Sequence, residues 1–216
     1  MIAAVLRRLP ALVLTAVLAA CGQDGATVSL PGPSGTDVLH RGNATEPHSL
    51  DPHRGEGVPS ANIQRDLFEG LINTAADGSL IPGAAVEWTV SEDGRTYTFT
   101  LREDGRWSNG DPVTAGDFVF SLRRAVDPAT LSNYSQILAP IANANAVITG
   151  ARPPEDLGVE APGPRELVIL LADPTPYFLE LLTHSMAYPV HPPTVQARPK
   201  DFARPGRLVS NGPYML

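Results

Sequence analysis

Apolar residues recur at helical spacing in two segments of the chain, and each segment has a polar start signal. The first covers about residues 61–71 and follows Ser60, whose hydroxyl can accept a hydrogen bond from a free amide of the first turn. The second covers about residues 115–125 and begins with Thr114 and Asp117, which have the spacing of a capping box with Asp in place of the usual Glu. Both segments are predicted to be helices with one buried face.

Alternating and continuous apolar runs predict strands elsewhere. Residues 86–90 and 96–101 alternate apolar and polar side chains on either side of an Asp-Gly turn at Asp93, which is a strong hairpin signal. Residues 166–172 are a short continuous apolar run, typical of a buried strand. Residues 37–42 could form a first strand.

The rest of the pattern is less regular. Residues 135–149 favour another helix, although Pro140 lies in its first turns. Short helices are expected at residues 177–183 and 194–197, loops at 43–58 and 151–165, and the start of a strand at 213–216. The mixture of helices and strands predicts the α/β class.

The N-terminus has the features of an export signal. Arg7 and Arg8 precede a mostly apolar run that is too short to span a bilayer, and this run ends directly before Cys21, the one cysteine of the chain. The junction resembles a bacterial lipobox. Residues 1–20 are therefore predicted to be a lipoprotein signal peptide, and residues 21–36 a lipidated cysteine with a flexible tether. The alternative is a plain secretory signal with an incidental cysteine.

Composition and motifs give no support for nucleic-acid binding, catalysis or a cofactor. The formal net charge of −7 argues against nucleic acid as a partner. The sequence has no Gly-Lys pair of a phosphate-binding loop and no Gly-x-Ser-x-Gly elbow, so no catalytic residue is assigned. His48, Asp51 and His53 have a spacing that matches no common metal site, so no metal is expected either.

Several short motifs stand in the order in which one known family has them. The most specific is the block from Trp107 to Val119. The others are Ser49-Leu50-Asp51-Pro52, the run from Arg65 to Leu71, the run from Gly94 to Phe99, Asp127-Pro128, Ser132-Asn133-Tyr134, Pro176-Tyr177-Phe178 and Asn211-Gly212-Pro213-Tyr214. Over about residues 38–216 the chain thus resembles family 5 of the bacterial extracellular solute-binding proteins, the peptide-binding receptors of ABC importers.

The resemblance implies a fold of two α/β lobes of the type II periplasmic-binding-protein kind, which close over the ligand. It implies that residues 37–216 form most of the first lobe only, with a mixed sheet, and that the second lobe is missing from this sequence. Much of the ligand clamp in the family lies in that second lobe.

The resemblance also implies which residues of this lobe touch the peptide. Glu56 would offer a carboxylate near the ligand, and Val58 would offer backbone hydrogen bonds, pairing with the peptide as an added strand does. Tyr134 would offer a ring for packing and a hydroxyl for hydrogen bonding. Two alternatives stay open: Glu56 could be a solvated loop charge, and Tyr134 a partly buried turn residue.

The implied function is the capture of oligopeptides outside the cytoplasmic membrane, in the periplasm or cell envelope. The implied partners are the peptide ligand, the permease and ATPase subunits of an ABC importer, and the membrane through a lipid anchor at Cys21. Two other hypotheses remain: a receptor of the same fold for another solute, such as a dipeptide or nickel, and a truncated remnant or lipoprotein that offers only an interaction surface.

Overall fold

The computed structural model describes residue 38 and residues 40–216. The predicted signal peptide, Cys21 and the tether lie outside the described residues. Residues Asn43–Leu216 form one compact unit. The described part of the predicted strand at 37–42 has no regular secondary structure, because a strand needs a neighbour to pair with and no strand pairing involves it.

The centre of the unit is a four-stranded sheet in the order β3-β4-β6-β5. The strands of the described chain are β1 (Ile72–Thr74), β2 (Leu80–Pro82), β3 (Ala85–Val90), β4 (Thr96–Leu101), β5 (Val159–Gly163) and β6 (Glu166–Leu170). The predicted hairpin is confirmed as β3 and β4, and the apolar run as β6. The pairings in this sheet, and between β1 and β2, are all antiparallel, so over the described residues the sheet is antiparallel rather than mixed.

One face of this sheet carries the core. Tyr97, Phe99 and Leu101 of β4 are buried while the residues between them are partly exposed, which is the period of two expected of a half-buried strand. The second helix of the described chain, α2 (Ala115–Val126), contributes Phe118 and Leu122 to the same core.

The start of α2 has the capping box that the sequence predicts for Thr114 and Asp117. The Thr114 hydroxyl accepts from the Asp117 amide, and the Asp117 carboxylate accepts from the Thr114 amide at 2.9 Å, so the capping box is complete. The same Asp117 Oδ2 accepts from the indole Nε1 of Trp107 at 3.0 Å. One carboxylate therefore caps the helix and anchors a buried aromatic side chain.

The first helix, α1, is Gly57–Leu67, which is shifted towards the N-terminus relative to the predicted 61–71. Ser60 is inside the helix instead of capping it, since the helix begins at Gly57, and its hydroxyl accepts from the backbone amide of His48 at 3.0 Å. The helix ends at Leu67, and Phe68 is extended (φ −124°, ψ 153°).

The helix predicted over residues 135–149 is interrupted in its middle. The structure has a 3-10 turn, Ser135–Leu138, and then a short helix α3, Ala144–Ile148. Pro140 has no amide to donate, and Asn143 is left-handed (φ 64°), so the two pieces cannot join. The predicted loop at 151–165 is also wrong in part, since β5 pairs there with β6.

The C-terminal region is mostly irregular. The predicted short helices are confirmed as α4 (Phe178–Leu181) and α5 (Pro192–Ala197), whereas residues 213–216 form no strand. Single 3-10 turns lie at Pro128–Thr130, Pro154–Asp156 and Ser185–Ala187. Within the described part of the chain, no helix has the length and apolar character that crossing a bilayer requires.

Candidate functional site

The loop of residues 48–56, which leads to Glu56, folds back on α1. The side-chain amide of Gln64 donates to the carbonyl oxygen of Asp51 at 3.1 Å, and the amide of Gly55 donates to the same oxygen at 2.8 Å. A β-carbon on Gly55 would lie 2.0 Å from Nε2 of Gln64, so a side chain there would require the Gln64 amide to move away from its position on the Asp51 carbonyl. The Gln64 amide therefore packs directly against the Gly55 backbone and helps to shape the loop.

A buried ionic cluster ties the same loop to α2. Arg124 of α2 donates to both carboxylate oxygens of Asp51, at 3.0 and 2.6 Å. Burial by itself would raise the pKa of Asp51, but the hydrogen bonds and charge of Arg124 outweigh burial, and the pKa lies below its usual value. Asp51 is therefore ionised at neutral pH, and its charge is matched by Arg124.

His53 completes this cluster as a neutral base. Nη1 of Arg124 lies 2.7 Å from Nδ1, and Nε2 lies 3.0 Å from the carbonyl oxygen of Tyr188. Arg124 can only donate, so Nδ1 accepts and Nε2 carries the proton that is donated to Tyr188. Burial, with the Arg124 charge, lowers the pKa of His53 to about 4. Both ring nitrogens are engaged, which leaves His53 no lone pair for a metal.

Metal binding has no other support in the described chain: residues 38 and 40–216 contain no group of three or more His, Cys, Asp or Glu side chains that could hold an ion. His48 is turned to the carbonyl oxygen of Arg54, with Nδ1 at 3.2 Å.

Glu56 is the residue before α1 and is half-buried. Its carboxylate makes no capping bond to the helix. Instead Oε1 accepts from the side-chain amide of Asn133, which is 77 positions away in sequence. The structure thus brings Glu56 next to Asn133 of the Ser132-Asn133-Tyr134 segment, a contact that no sequence pattern predicts.

Tyr134 follows Asn133 in the chain, at the start of the 3-10 turn Ser135–Leu138, and is 39% exposed. Its ring packs on the imidazole of His184, with 5.8 Å between ring centres and 59° between planes. Nδ1 of His184 accepts from the amide of Met186, which fixes the ring. Burial, with the charge of Arg65, lowers the pKa of His184. A neutral imidazole therefore supports the exposed phenol.

Val58 lies in the first turn of α1 and is 70% exposed. Its backbone is helical, whereas pairing as an added strand requires an extended backbone. Its amide is one of the first four of the helix, which have no acceptor within the helix. In this conformation Val58 can therefore offer a hydrogen-bond donor but not the strand-like pairing predicted for it.

A groove of about 510 Å³ lies along α2, on the side of the ionic cluster. Glu56, Val58 and Tyr134 do not line it. The groove is lined by other residues, among them Arg54, Val119, Phe120, Arg123, Arg124 and Asp127. The three predicted site residues instead lie at the surface formed by the start of α1 and the 132–134 segment, which is here called the Glu56 edge.

The family of the chain follows from comparison with known proteins. The model of the family described as bacterial extracellular solute-binding proteins, family 5 middle, matches residues 79–216, which is more than half of the chain. The chain belongs to this family. The family predicted from the sequence motifs is confirmed.

Two curated relatives illustrate the likeness. The periplasmic oligopeptide-binding protein OppA of Escherichia coli is 42% identical over 212 residues, covering 95% of this chain and 39% of the relative. The periplasmic murein peptide-binding protein MppA of Escherichia coli is 44% identical over 191 residues, covering 85% of this chain and 35% of the relative. The chain therefore spans between a third and two fifths of the length of these relatives.

The fold is shared with solved structures. A crystal structure of Haemophilus influenzae OppA in complex with RPPGFSPFR matches with a TM-score of 0.79 and 43% identity, covering 81% of this chain and 34% of that one. The Escherichia coli murein tripeptide-binding protein MppA matches with a TM-score of 0.76 and 44% identity, covering 79% and 34%. The predicted fold class, a partial lobe of a type II periplasmic binding protein, is confirmed.

Sequence reasoning missed two parts of the site. Asn133 lies in one of the family motifs, but an exposed Asn in a turn has many roles, so the sequence alone does not mark it as a partner of Glu56. Asp51 belongs to another family motif and, with His53, is a metal candidate from the sequence, but nothing in the sequence pairs these two residues with Arg124 of a later helix. Both contacts are long-range, and a periodic pattern reports only local structure.

Proposed function

We propose that the protein is a peptide receptor of an ABC importer and works outside the cytoplasmic membrane. The observation that carries this proposal is the Glu56 edge: the Glu56 carboxylate accepts from Asn133, and the next residue, Tyr134, is a partly exposed phenol whose ring packs on His184. The family, and the peptide ligands that its relatives are named for, support the same function.

The chemistry of the edge suits a peptide. A carboxylate accepts from ammonium or amide groups, and the first-turn amide of Val58 can donate to a peptide carbonyl. The Tyr134 ring offers apolar area while its hydroxyl bonds to a polar group. Such groups recognise the backbone that all peptides share, which is what a receptor for many sequences needs.

Ligand capture also needs a second surface. This chain spans only a third or so of the length of its relatives, and we propose that the opposing surface belongs to the remainder of the full-length protein. The peptide would favour the closed form because both surfaces touch it only there. The closed form would then dock on the permease, with ATP hydrolysis by other subunits driving transport.

The test is peptide affinity of the full-length protein, measured by isothermal titration calorimetry with tri- to pentapeptides. Glu56→Ala and Tyr134→Ala are each expected to weaken binding about tenfold, the effect of losing about 1.4 kcal/mol. Tyr177→Ala is the matched control for the phenol, because Tyr177 is 59% exposed on the same unit. Glu160→Ala, on β5, is the matched control for the carboxylate. Unchanged affinity in both site variants would refute the assigned site.

We also propose that the protein is held to a membrane by acyl chains on Cys21, following a signal peptide at residues 1–20, with residues 21–36 as the tether. The support is the lipobox-like junction of the sequence. Each buried methylene would contribute about 0.8 kcal/mol to membrane attachment. Cys21→Ser should move the protein from the membrane fraction to the soluble fraction, and continued membrane attachment of that variant would count against the anchor.

A further inference from the structure

The chain contains two Asn-Gly pairs, Asn109-Gly110 and Asn211-Gly212, and the structure places them in opposite surroundings. Asn211 is buried, with 6% of its surface exposed. Its Oδ1 accepts from the amide of Glu69 at 3.1 Å, and its Nδ2 donates to the carbonyl oxygen of Glu69 at 2.8 Å. The Asn211 side chain is therefore fixed at both ends.

The other pair lies at the surface. Asn109 and Gly110 are exposed, in the turn between Trp107 and Asp111. The Gly110 amide donates to the Trp107 carbonyl oxygen at 2.8 Å. Gly110 has a left-handed backbone (φ 92°), and a β-carbon on it would meet no atom within 4 Å. The space around this amide is thus open.

An exposed Asn-Gly pair can react with itself. Glycine has no β-carbon to crowd the approach, so its nitrogen readily attacks the preceding side chain. A bond forms between the Gly110 nitrogen and Cγ of Asn109, the bond from Cγ to Nδ2 breaks, and the amide proton leaves with Nδ2 as ammonia. Water then opens the cyclic imide at either of its carbonyl carbons, which leaves aspartate or isoaspartate in place of Asn109.

The Asn109 side chain supports a contact between this turn and α5. Its Nδ2 donates to Oδ2 of Asp111 at 2.7 Å, and Nε2 of His191 donates to the same oxygen at 3.0 Å. His191 is the residue before α5, is 6% exposed, and has its other ring nitrogen 2.7 Å from Oγ1 of Thr194. The Asp111 carboxylate therefore joins the turn to the start of α5, and the Asn109 amide holds that carboxylate.

Deamidation would turn this attraction into repulsion. The amide that donates to Asp111 becomes a carboxylate, which cannot donate and carries a like charge. Two carboxylates at hydrogen-bond distance repel each other, so the turn must move to separate them. Isoaspartate also adds a methylene to the main chain. Either product would weaken the bond between Asp111 and His191.

We propose that Asn109 is a site of spontaneous deamidation, and that the reaction releases the turn at residues 108–111 from α5. Asn211 also precedes a glycine, but it resists the reaction because its side chain is buried and bonded at both ends. The site is separate from the Glu56 edge, and the inference does not depend on the ligand of the protein.

The reaction is tested by incubating the full-length protein in mildly alkaline buffer made with heavy-oxygen water, which labels only the conversion that happens in the sample. Mass spectrometry then follows the proteolytic peptides that contain Asn109 and Asn211. Asn109 is expected to convert at least about tenfold faster, since Asn211 reacts only when the local structure opens. In urea, where both pairs are exposed, the two rates should become similar. Equal rates in the folded protein, or no conversion of Asn109, would overturn the site.

The structural consequence is tested by hydrogen exchange of the full-length protein. Asn109→Asp reproduces one product, and the amides of residues 108–111 and 194–197 should exchange about two- to fivefold faster, the range for a changed charge pair at the surface. Asn109→Ser keeps a donor and cannot deamidate, so its exchange should match that of the fresh protein before and after incubation.

Asn145→Asp is the matched control, because it adds the same charge at another exposed Asn of the unit and should leave these amides unchanged. Unchanged exchange in Asn109→Asp, or the same increase in Asn145→Asp, would overturn the release of the turn from α5.

Discussion

Arg124 lies on the carboxylate of Asp51, with 2.6 Å between Nη2 and Oδ2 and 3.0 Å between Nη1 and Oδ1. The two side chains are only 13% and 6% exposed. The pair joins the helix at the centre of the core to the loop that leads to Glu56, and the guanidinium also lies 5.2 Å from the centre of the Phe202 ring. The Glu56 edge is therefore built on a buried ion pair.

Removing the positive member of this pair should be costly. Arg124→Met leaves the Asp51 charge buried without its partner, and we expect the free energy of unfolding to fall by about 3–5 kcal/mol in urea denaturation. Arg123→Met, its neighbour on the same helix, is the control and should cost less than about 1 kcal/mol. A second change, Asp51→Asn, should recover part of the loss in the double variant. Equal costs at the two arginines would contradict the structure.

His53 makes the stability depend on pH in a defined window. Its pKa is lowered from the usual 6.5 to about 4 in the folded protein. Between these values the unfolded chain binds a proton that the folded chain does not, so the free energy of unfolding falls as pH falls from about 6.5 to about 4, by about 3 kcal/mol in total. The measurement is urea unfolding at several pH values in this window.

His53→Gln is the matching variant, because its amide can still donate to the Tyr188 carbonyl but does not titrate. It should flatten the pH dependence between 6.5 and 4, even if it lowers stability at pH 7. The lowered pKa of His184 contributes to the slope in both proteins and therefore cancels in the comparison. The same slope in both proteins would mean that His53 is not the buried neutral base described here.

Gly212 should not tolerate a side chain. A β-carbon there would lie 2.5 Å from the carbonyl carbon of Leu67 and 2.7 Å from the amide nitrogen of Phe68, both of which are backbone atoms. Gly212→Ala is expected to lower stability by about 2–3 kcal/mol, since the two segments must separate. Gly163→Ala meets nothing within 4 Å and is the control, with little expected change. Thermal melting of the two variants distinguishes the cases.

Leu131 offers a test of backbone strain. Its left-handed conformation costs about 1–2 kcal/mol for a residue with a β-carbon, and its exposed side chain contributes little packing. Leu131→Gly should therefore raise stability by up to about 1 kcal/mol, after the extra entropy of glycine in the unfolded chain. Leu131→Ala keeps the β-carbon and should give no such gain. A gain in both variants would point to a different cause.

Local patterns were sufficient for the central elements of the fold. The capping box at Thr114 and the Asp-Gly turn at Asp93 each act within a few residues, so the sequence alone placed α2 and the hairpin of β3 and β4. The prediction of one helix over residues 135–149 is wrong. The apolar residues there have the period of a single helix, but Pro140 and the left-handed Asn143 divide the segment into two pieces. Strand β5 was missed because its pairing with β6, not its own composition, makes it a strand.

The residues of the candidate site could be proposed from the sequence only through the family motifs. These drew attention to Glu56 and Tyr134, but the partners that orient them, Asn133 and His184, are fixed by contacts between distant segments. No periodicity reports such contacts. Val58 shows the same limit, because a motif match did not reveal that its backbone would be helical.

The most direct test of peptide capture is native mass spectrometry of the full-length protein, purified from its own cells without refolding. We predict a complex that releases a heterogeneous set of short peptides on denaturation, and a lower peptide-bound fraction in the Glu56→Ala variant, in line with its expected roughly tenfold weaker affinity. A protein that carries no peptide as isolated, and that binds none from an added mixture of tri- to pentapeptides, would contradict the proposed function.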